Sequence, residues 1–254
     1  MTEPLLRIQD LSKSFGGLKA VQNVSLSVPA ASLTALIGPN GAGKTTLFAL
    51  MSGFLRPDSG KVQFDGQDIT GRAPHLNARQ GMTRTFQIVQ PFAAQTVRDN
   101  IAVGVHLHVK DRRSALSQAE VVAARVGLSS QLDKPASELT VAGRKRLELA
   151  RALATRPKLL LLDEVLAGLN PHEIAEIIPV VQGIANSGVT VLMIEHVMQA
   201  VMHLAQHVWV LAQGQLIAQG TPAEVTTDEK VVEAYLGHGT AARLRAAAQA
   251  GVVT

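Results

Sequence analysis

The stretch GPNGAGKT, from Gly38 to Thr45, has the residue types and spacing of a phosphate-binding loop. It follows the short apolar run LTALI and opens a helix-like segment, as a strand–loop–helix phosphate site requires. Glycines let successive backbone N–H groups surround phosphate oxygens, and the helix N-terminus adds the positive end of its dipole. Lys44 in this pattern reaches the β- and γ-phosphates, and the Thr45 hydroxyl can ligate Mg²⁺. An ordinary glycine-rich turn does not require a strand before it and a helix after it, so the context favours a nucleotide site.

Two other apolar runs end in residues that could act on a bound nucleotide. LLLLDE ends in Asp163, which is placed to hold Mg²⁺ through water, and in Glu164, which could polarise an attacking water. A DE pair after a hydrophobic strand is common and often only solvated, so its interpretation depends on the phosphate loop. VTVLMIEH ends in His196, which could lie beside the γ-phosphate and orient the water or Glu164. A lone histidine at a strand end is more often structural.

These residues require strands and helices that bring them to one edge of a sheet. LTALI, KLLLLDE and VTVLMIEH are continuous apolar runs, and the segment between the last two repeats its apolar residues at helical spacing. Asn170 is predicted to cap that helix and Pro171 suits its first position, whereas Pro179 is predicted to kink or interrupt it. Apolar strands joined by amphipathic helices indicate an α/β fold with a parallel sheet covered on both faces.

The flanking segments predict different structure. LLRIQDLSKSF, AVQNVSLSV and KVQFDGQDI alternate more and suggest an antiparallel layer, and VWVLAQGQLIAQG predicts a hairpin that turns at Gln213 and Gly214. Residues 91–136 are mostly helical in pattern with no strand-like run, which predicts an inserted helical lobe. The Ala-rich stretch from Thr240 is weakly helical and carries no recognisable chemistry.

Composition excludes several classes of protein. The 254 residues are 46% hydrophobic, enough for a substantial core, and contain no Cys, which excludes disulfides, Cys-ligated zinc and thiol catalysis. The N-terminal stretch carries charges and Pro4 where a signal peptide needs an apolar run, and no run is long enough to cross a bilayer. We therefore expect a soluble, cytoplasmic protein. The net charge of +4 comes from dispersed Lys and Arg with few aromatics, so no nucleic-acid partner is expected.

The order of these motifs resembles that of the nucleotide-binding subunit of an ATP-binding-cassette (ABC) transporter, over essentially Arg7 to Leu236. The resemblance implies a P-loop NTPase core with a parallel sheet, an antiparallel β subdomain and a helical lobe inserted at about residues 91–150. The cassette is expected to span residues 4–239, with an Ala-rich tail at 240–254. ATP and Mg²⁺ are the implied cofactors, and Mg-dependent ATP hydrolysis coupled to transport is the implied activity.

The resemblance also assigns site residues. Phe15 in KSFGG matches the aromatic that stacks on adenine, and Gln87 in TRTFQIVQPF matches the Q-loop glutamine that touches Mg²⁺ and the water. Gln87 also borders the contact with the membrane subunit. Asp163 and Glu164 match Walker B, and His196 matches the switch histidine. The Walker A loop comprises Gly38, Pro39, Asn40, Gly41, Ala42, Gly43, Lys44, Thr45 and Thr46. The implied catalytic residues are Glu164, His196, Gln87 and Lys44, and the implied Mg²⁺ ligands are Thr45, Gln87 and Asp163.

The signature of the family is altered in this chain. It is formed here by Leu139, Thr140, Val141, Ala142 and Gly143, and the D-loop that follows by Ala167, Gly168, Leu169 and Asn170. In this family the signature of one subunit closes over ATP held by the Walker A loop of its partner, so that a head-to-tail dimer encloses two ATP molecules. Thr140 replaces a Ser, Val141 and Ala142 replace glycines, and Gly143 replaces a Gln. Thr140 keeps a hydroxyl and Ala142 an N–H group for the phosphate, while Val141 could reshape the turn. Since the Walker, Q-loop and switch residues are all present, an active ATPase is expected.

Other details resemble one branch of the family. RTFQ with a following PF, AGLNP, IEH and AYLG are similar to the longer ATPase subunit of branched-chain or hydrophobic amino-acid importers; importers of urea and short amides share this branch. The implied partners are transmembrane permease subunits, a second ABC ATPase in a heterodimer or homodimer, and an external substrate-binding protein. The implied location is the cytoplasmic face of the inner or plasma membrane. Two alternatives stay open, a soluble non-transport ABC ATPase and a regulatory ATP-binding half with a degenerate signature.

Overall fold

The strands of the molecule form two sheets. The computed structural model describes residues 3–236, so the predicted tail at 240–254 and the last three residues of the predicted cassette lie outside the described part. The strands are β1 (Leu6–Phe15), β2 (Leu18–Val28), β3 (Leu33–Ile37), β4 (Ser59–Phe64), β5 (Gln67–Asp68), β6 (Met82–Arg84), β7 (Leu159–Asp163), β8 (Thr190–Ile194), β9 (His207–Ala212) and β10 (Gln215–Gly220).

The larger sheet has the order β10-β9-β3-β8-β7-β6, and its strands are parallel except for β10, which pairs antiparallel with β9. Every residue of β3, β7 and β8 is buried, which explains why these strands are continuous apolar runs rather than alternating ones. The predicted parallel sheet is confirmed. Because β3, β7 and β8 are neighbours, the residues that follow each of them meet at one edge.

The smaller sheet is antiparallel, with the order β2-β1-β4-β5, as the alternating segments predict. The predicted hairpin is also present. Gln213 and Gly214 both have positive φ, 48° and 78°, which is the backbone of a two-residue turn whose twist matches the strands it joins.

The helices cover the parallel sheet and fill the segment between β6 and β7. They are α1 (Lys44–Ser52), α2 (Pro74–Gln80), α3 (Val97–Val105), α4 (Arg112–Arg125), α5 (Val141–Ala154), α6 (Pro171–Asn186), α7 (Met198–Leu204), α8 (Pro222–Thr227) and α9 (Glu229–Leu236). Residues 91–136 contain α3 and α4 and no strand, in agreement with their helical pattern. The exact bounds of an inserted lobe stay a prediction. Among the described residues, no helix is long and apolar enough to cross a membrane.

Helix α6 corrects one expectation and confirms another. Asn170 caps it through a capping box with Glu173, and Pro171 occupies its first turn. Pro179, however, does not interrupt it, because the helix continues to Asn186. Because Pro179 has no N–H, the carbonyl of Ala175 has no donor within the helix. Both residues are exposed, so water can satisfy this carbonyl.

Candidate functional site

The loop between β3 and α1 is held tightly by its neighbours. A Cβ added to Gly38 would lie 1.9 Å from the backbone oxygen of Leu211, and one added to Gly43 would lie 2.2 Å from that of Ala20. Gly43 also has φ of 103°, which L side chains rarely adopt. These two positions therefore require glycine, and a loop of this kind can present backbone N–H groups to a phosphate.

Lys44 begins α1 with its amino group against the loop. Its Nζ donates to the carbonyl oxygens of Gly38 at 2.7 Å and Pro39 at 3.0 Å. Burial lowers the pKa of Lys44, and the negative charges of Glu164 and Asp163 partly offset that effect. A cation is thus placed beside the loop, where phosphate oxygens would be stabilised by it.

One cavity of about 1280 Å³ gathers the residues that were predicted to bind and act on nucleotide. Its walls include Phe15, the whole loop from Gly38 to Thr46, Gln87, Glu164 and His196. Phe15 is exposed and lies below the Lys13 ammonium, which is 5.7 Å from the ring centroid. The cavity is therefore lined by an exposed aromatic, a phosphate loop and a carboxylate with two polar neighbours.

Asp163 ends β7, is almost fully buried and is not among the residues that line this cavity. Its Oδ2 accepts a hydrogen bond from Nη2 of Arg84 at 2.7 Å, while its Oδ1 is buried with no hydrogen-bond partner among the described residues. A buried carboxylate oxygen without a partner is costly unless a ligand completes it. Residues 3–236 hold no cluster of His, Cys, Asp or Glu that would bind a metal unaided. A Mg²⁺ that shares its coordination with phosphates and water requires only one or two carboxylates, so Asp163 with Thr45 fits this ion.

Glu164 is held by contacts on both its backbone and its side chain. It has φ of 48°, a strained value for a non-glycine residue, and its N–H donates to the carbonyl of Ile194 at 3.0 Å. Its Oε2 accepts a hydrogen bond from Nε2 of Gln87 at 2.6 Å. The buried Lys145 on α5 donates to the carbonyl oxygens of both Gln87 and Glu164, each at 3.3 Å. The carboxylate is thereby aimed into the cavity beside the Q-loop residue.

The signature segment starts α5 and does not line this cavity. Thr140 is the N-cap, and its Oγ1 accepts from the N–H of Gly143 at 3.1 Å. Leu139, Ala142 and Gly143 are buried, whereas Val141 is half exposed at the helix start. The D-loop residues, Ala167, Gly168, Leu169 and Asn170, are also outside the cavity walls. The chain therefore brings its own Walker A loop, Glu164 and Gln87 together in one cavity, whereas its signature lies outside that cavity.

Sequence reasoning missed four residues of this region. Arg84 pairs with Asp163, Lys145 joins the two carbonyls, and Tyr235 on α9 lines the cavity. Glu195 accepts from the N–H of Leu166 at 3.0 Å, and burial raises its pKa to about 7. One signal was available for Lys145, because it occupies the buried face of α5 one turn before Leu149.

Two sequence models of known families match this chain. Residues 21–167 match the sequence model of the family described as ABC transporter, which is more than half of the chain. The chain belongs to the ABC transporter family. Residues 215–241 of this cassette also match the family described as branched-chain amino acid ATP-binding cassette transporter.

The cassette is similar to branched-chain amino acid transport ATP-binding proteins over nearly its whole length. It is 38% identical to the high-affinity branched-chain amino acid transport ATP-binding protein BraF of Pseudomonas aeruginosa, over 93% of this chain and 99% of that protein. It is likewise 38% identical to LivG of Escherichia coli, with the same coverage. A crystal structure of the ADP conformation of an ATP-binding cassette from an ABC transporter superposes with a TM-score of 0.85 at 35% identity, covering 93% of this chain and all of the other.

These comparisons confirm the predicted family and the predicted fold class. The cassette is the ATP-binding, ATP-hydrolysing type of subunit that serves a membrane transporter. The roles of its individual residues remain predictions from the motifs and the family resemblance.

Proposed function

We propose that this cassette hydrolyses ATP to power an importer of branched-chain or other hydrophobic amino acids. The cavity that joins the phosphate loop, Gln87, Glu164 and His196 is the observation that carries the ATPase activity. The match at residues 215–241 and the named relatives support the cargo.

In the proposed reaction, Phe15 stacks on adenine, and the loop with Lys44 binds the phosphates. Glu164 accepts a proton from the water that attacks the γ-phosphate, and Gln87 holds the carboxylate in place through their hydrogen bond. His196, exposed on the same wall, orients the water. Thr45, Gln87 and, through water, Asp163 would hold a Mg²⁺ ion, and that ion would supply positive charge to offset the charge on the phosphate oxygens. The products are ADP and phosphate, and most of the catalysis comes from positioning and electrostatics.

The signature completes the site of a partner subunit. Thr140, at the N-terminus of α5, offers a hydroxyl, backbone N–H groups and a helix dipole to the γ-phosphate on that partner. The D-loop, Ala167 to Asn170, would contact the same interface. This role requires a head-to-tail dimer, and the partner is expected to be a second, different ATPase subunit.

The remaining partners are transmembrane permease subunits, which Gln87 and the neighbouring helices would contact, and an external substrate-binding protein for the whole system. The cassette would then lie at the cytoplasmic face of the inner or plasma membrane, attached through the permease. No nucleic-acid partner is proposed.

Uptake in cells that lack this chain tests the cargo. Loss of radiolabelled leucine uptake, restored by the wild-type chain but not by Glu164→Gln, is the expected result. Loss of urea or acetamide uptake with leucine uptake unchanged would show that the cargo is urea or a short amide instead. Unchanged uptake of all three would contradict the transport function.

A further inference from the structure

Arg84 and Asp163 form an ion pair inside the protein. The Nη2–Oδ2 distance is 2.7 Å, and the two side chains are 7% and 2% exposed. Nε of Arg84 and Oδ1 of Asp163 are buried without hydrogen-bond partners among the described residues. Burying two charges is expensive, so a pair with unsatisfied atoms on both sides contributes little to stability by itself. This suggests that the pair is kept for something other than folding.

The backbone fixes Arg84 next to the Walker B strand. Arg84 is paired with Leu161 in the parallel β6–β7 ladder. The next residue, Thr85, donates its N–H to the carbonyl of Leu161 at 2.9 Å, and its Oγ1 accepts from the N–H of Asp163 at 3.1 Å. The Asp163 backbone is therefore bonded to the same short segment whose arginine holds its carboxylate.

Three phenylalanine rings hold the guanidinium in place. Its central carbon lies 5.9 Å from the centroid of Phe48, 5.8 Å from that of Phe54 and 5.4 Å from that of Phe86. Phe54 and Phe86 also contact each other edge to face at 5.4 Å. Cation–π contacts offset part of the desolvation of the arginine and limit its orientations.

We propose that Arg84 is a positioning residue that fixes the orientation of the Asp163 carboxylate, so that one oxygen binds the guanidinium and the other is left for Mg²⁺. It holds Oδ2, and this leaves Oδ1 directed to the Mg²⁺ that binds with ATP. Without the guanidinium neither carboxylate oxygen has a partner, and the group is free to turn away from the metal. Residues that orient a metal-binding group in this way typically contribute about 10- to 100-fold to metal affinity. This inference rests on the proposed Mg²⁺ site.

Mn²⁺ binding measured by electron paramagnetic resonance tests it, using the full chain loaded with a non-hydrolysable ATP analogue. The variants are Arg84→Met and Arg84→Lys. Arg151→Met is a matched control, since Arg151 also pairs with a carboxylate, Glu148 at 3.0 Å, and also lies over a ring, Phe92 at 5.3 Å. Affinity for the analogue in EDTA is measured in parallel, because an effect limited to the metal must leave it unchanged.

Arg84→Met is expected to weaken Mn²⁺ binding at least about 10-fold, with affinity for the analogue in EDTA close to wild type. Arg84→Lys keeps the charge but not the planar fork, so it should fall between Arg84→Met and wild type. Arg151→Met should bind Mn²⁺ as wild type does.

Wild-type Mn²⁺ affinity in Arg84→Met would overturn the proposal, as would an equal loss of analogue binding in EDTA. If Arg84→Met fails to fold, Arg84→Lys decides, and an unchanged Mn²⁺ affinity in it would overturn the role. A wild-type protein that retains no more Mn²⁺ than the free analogue would instead refute the metal site itself.

Discussion

Replacing Thr140 separates two roles that the structure gives to its hydroxyl. Oγ1 accepts the N–H of Gly143 at 3.1 Å and so caps α5, while the hydroxyl proton is left to be donated to a phosphate. Loss of an N-cap costs about 1 kcal/mol. For a chain of this size that lowers Tm by about 2–4 °C. Loss of a hydrogen bond to a charged group costs about 1.5–3 kcal/mol, or roughly 10- to 100-fold in rate.

Thr140→Ala should therefore lower both the Tm and the rate of phosphate release, whereas Thr140→Ser should lower neither. Thr140→Asp is the informative variant, because aspartate caps a helix as well as threonine does but repels a phosphate. Its Tm should equal or exceed that of wild type, while phosphate release from Mg-ATP falls at least as far as in Thr140→Ala. Thermal denaturation of the chain and a phosphate-release assay on the chain assembled with its partner ATPase subunit measure both. Thr140→Asp with wild-type phosphate release would refute the placement of the hydroxyl against a partner's ATP.

Three further predictions concern other contacts of the site. Gly38→Ala should abolish ATP binding in a filter-binding assay, since its Cβ would lie 1.9 Å from Leu211 O. Lys145→Met, which removes the donor to the carbonyl groups of Gln87 and Glu164, should lower the free energy of unfolding in urea by about 1–3 kcal/mol; no loss would contradict that role. Burial raises the pKa of Glu195 from 4.5 to about 7, so the folded protein holds a proton that the unfolded chain releases. The Tm of wild type minus that of Glu195→Gln should therefore fall as the pH rises from about 4.5 to about 7, and a constant difference would contradict this.

Much of the fold could be predicted because its signals are local. Buried parallel strands require continuous apolar runs, and Leu159 to Asp163 is recognisable by itself. The hairpin at Gln213 and Gly214 and the cap at Asn170 also follow from residue types over a few positions. That Pro179 does not interrupt α6 could not be predicted, because its effect depends on whether the freed carbonyl reaches water, and only the packed helix shows that side to be exposed.

The phosphate loop and the residues after β7 and β8 could be predicted for the same reason, since motif and strand end coincide. The Arg84–Asp163 pair could not, because it joins residues 79 apart in the sequence and depends on β6 lying beside β7. Strand order is set by packing, which no local pattern encodes. Tyr235 reaches the cavity from α9 for a similarly non-local reason.

Phosphate release by wild type and by Glu164→Gln, with bound ATP measured on the same samples, tests the central claim most directly. Wild type should turn over Mg-ATP, whereas Glu164→Gln should bind ATP with similar affinity and release no phosphate, because the amide cannot accept the proton of the attacking water. Wild-type turnover in Glu164→Gln would contradict the catalytic role assigned to that carboxylate.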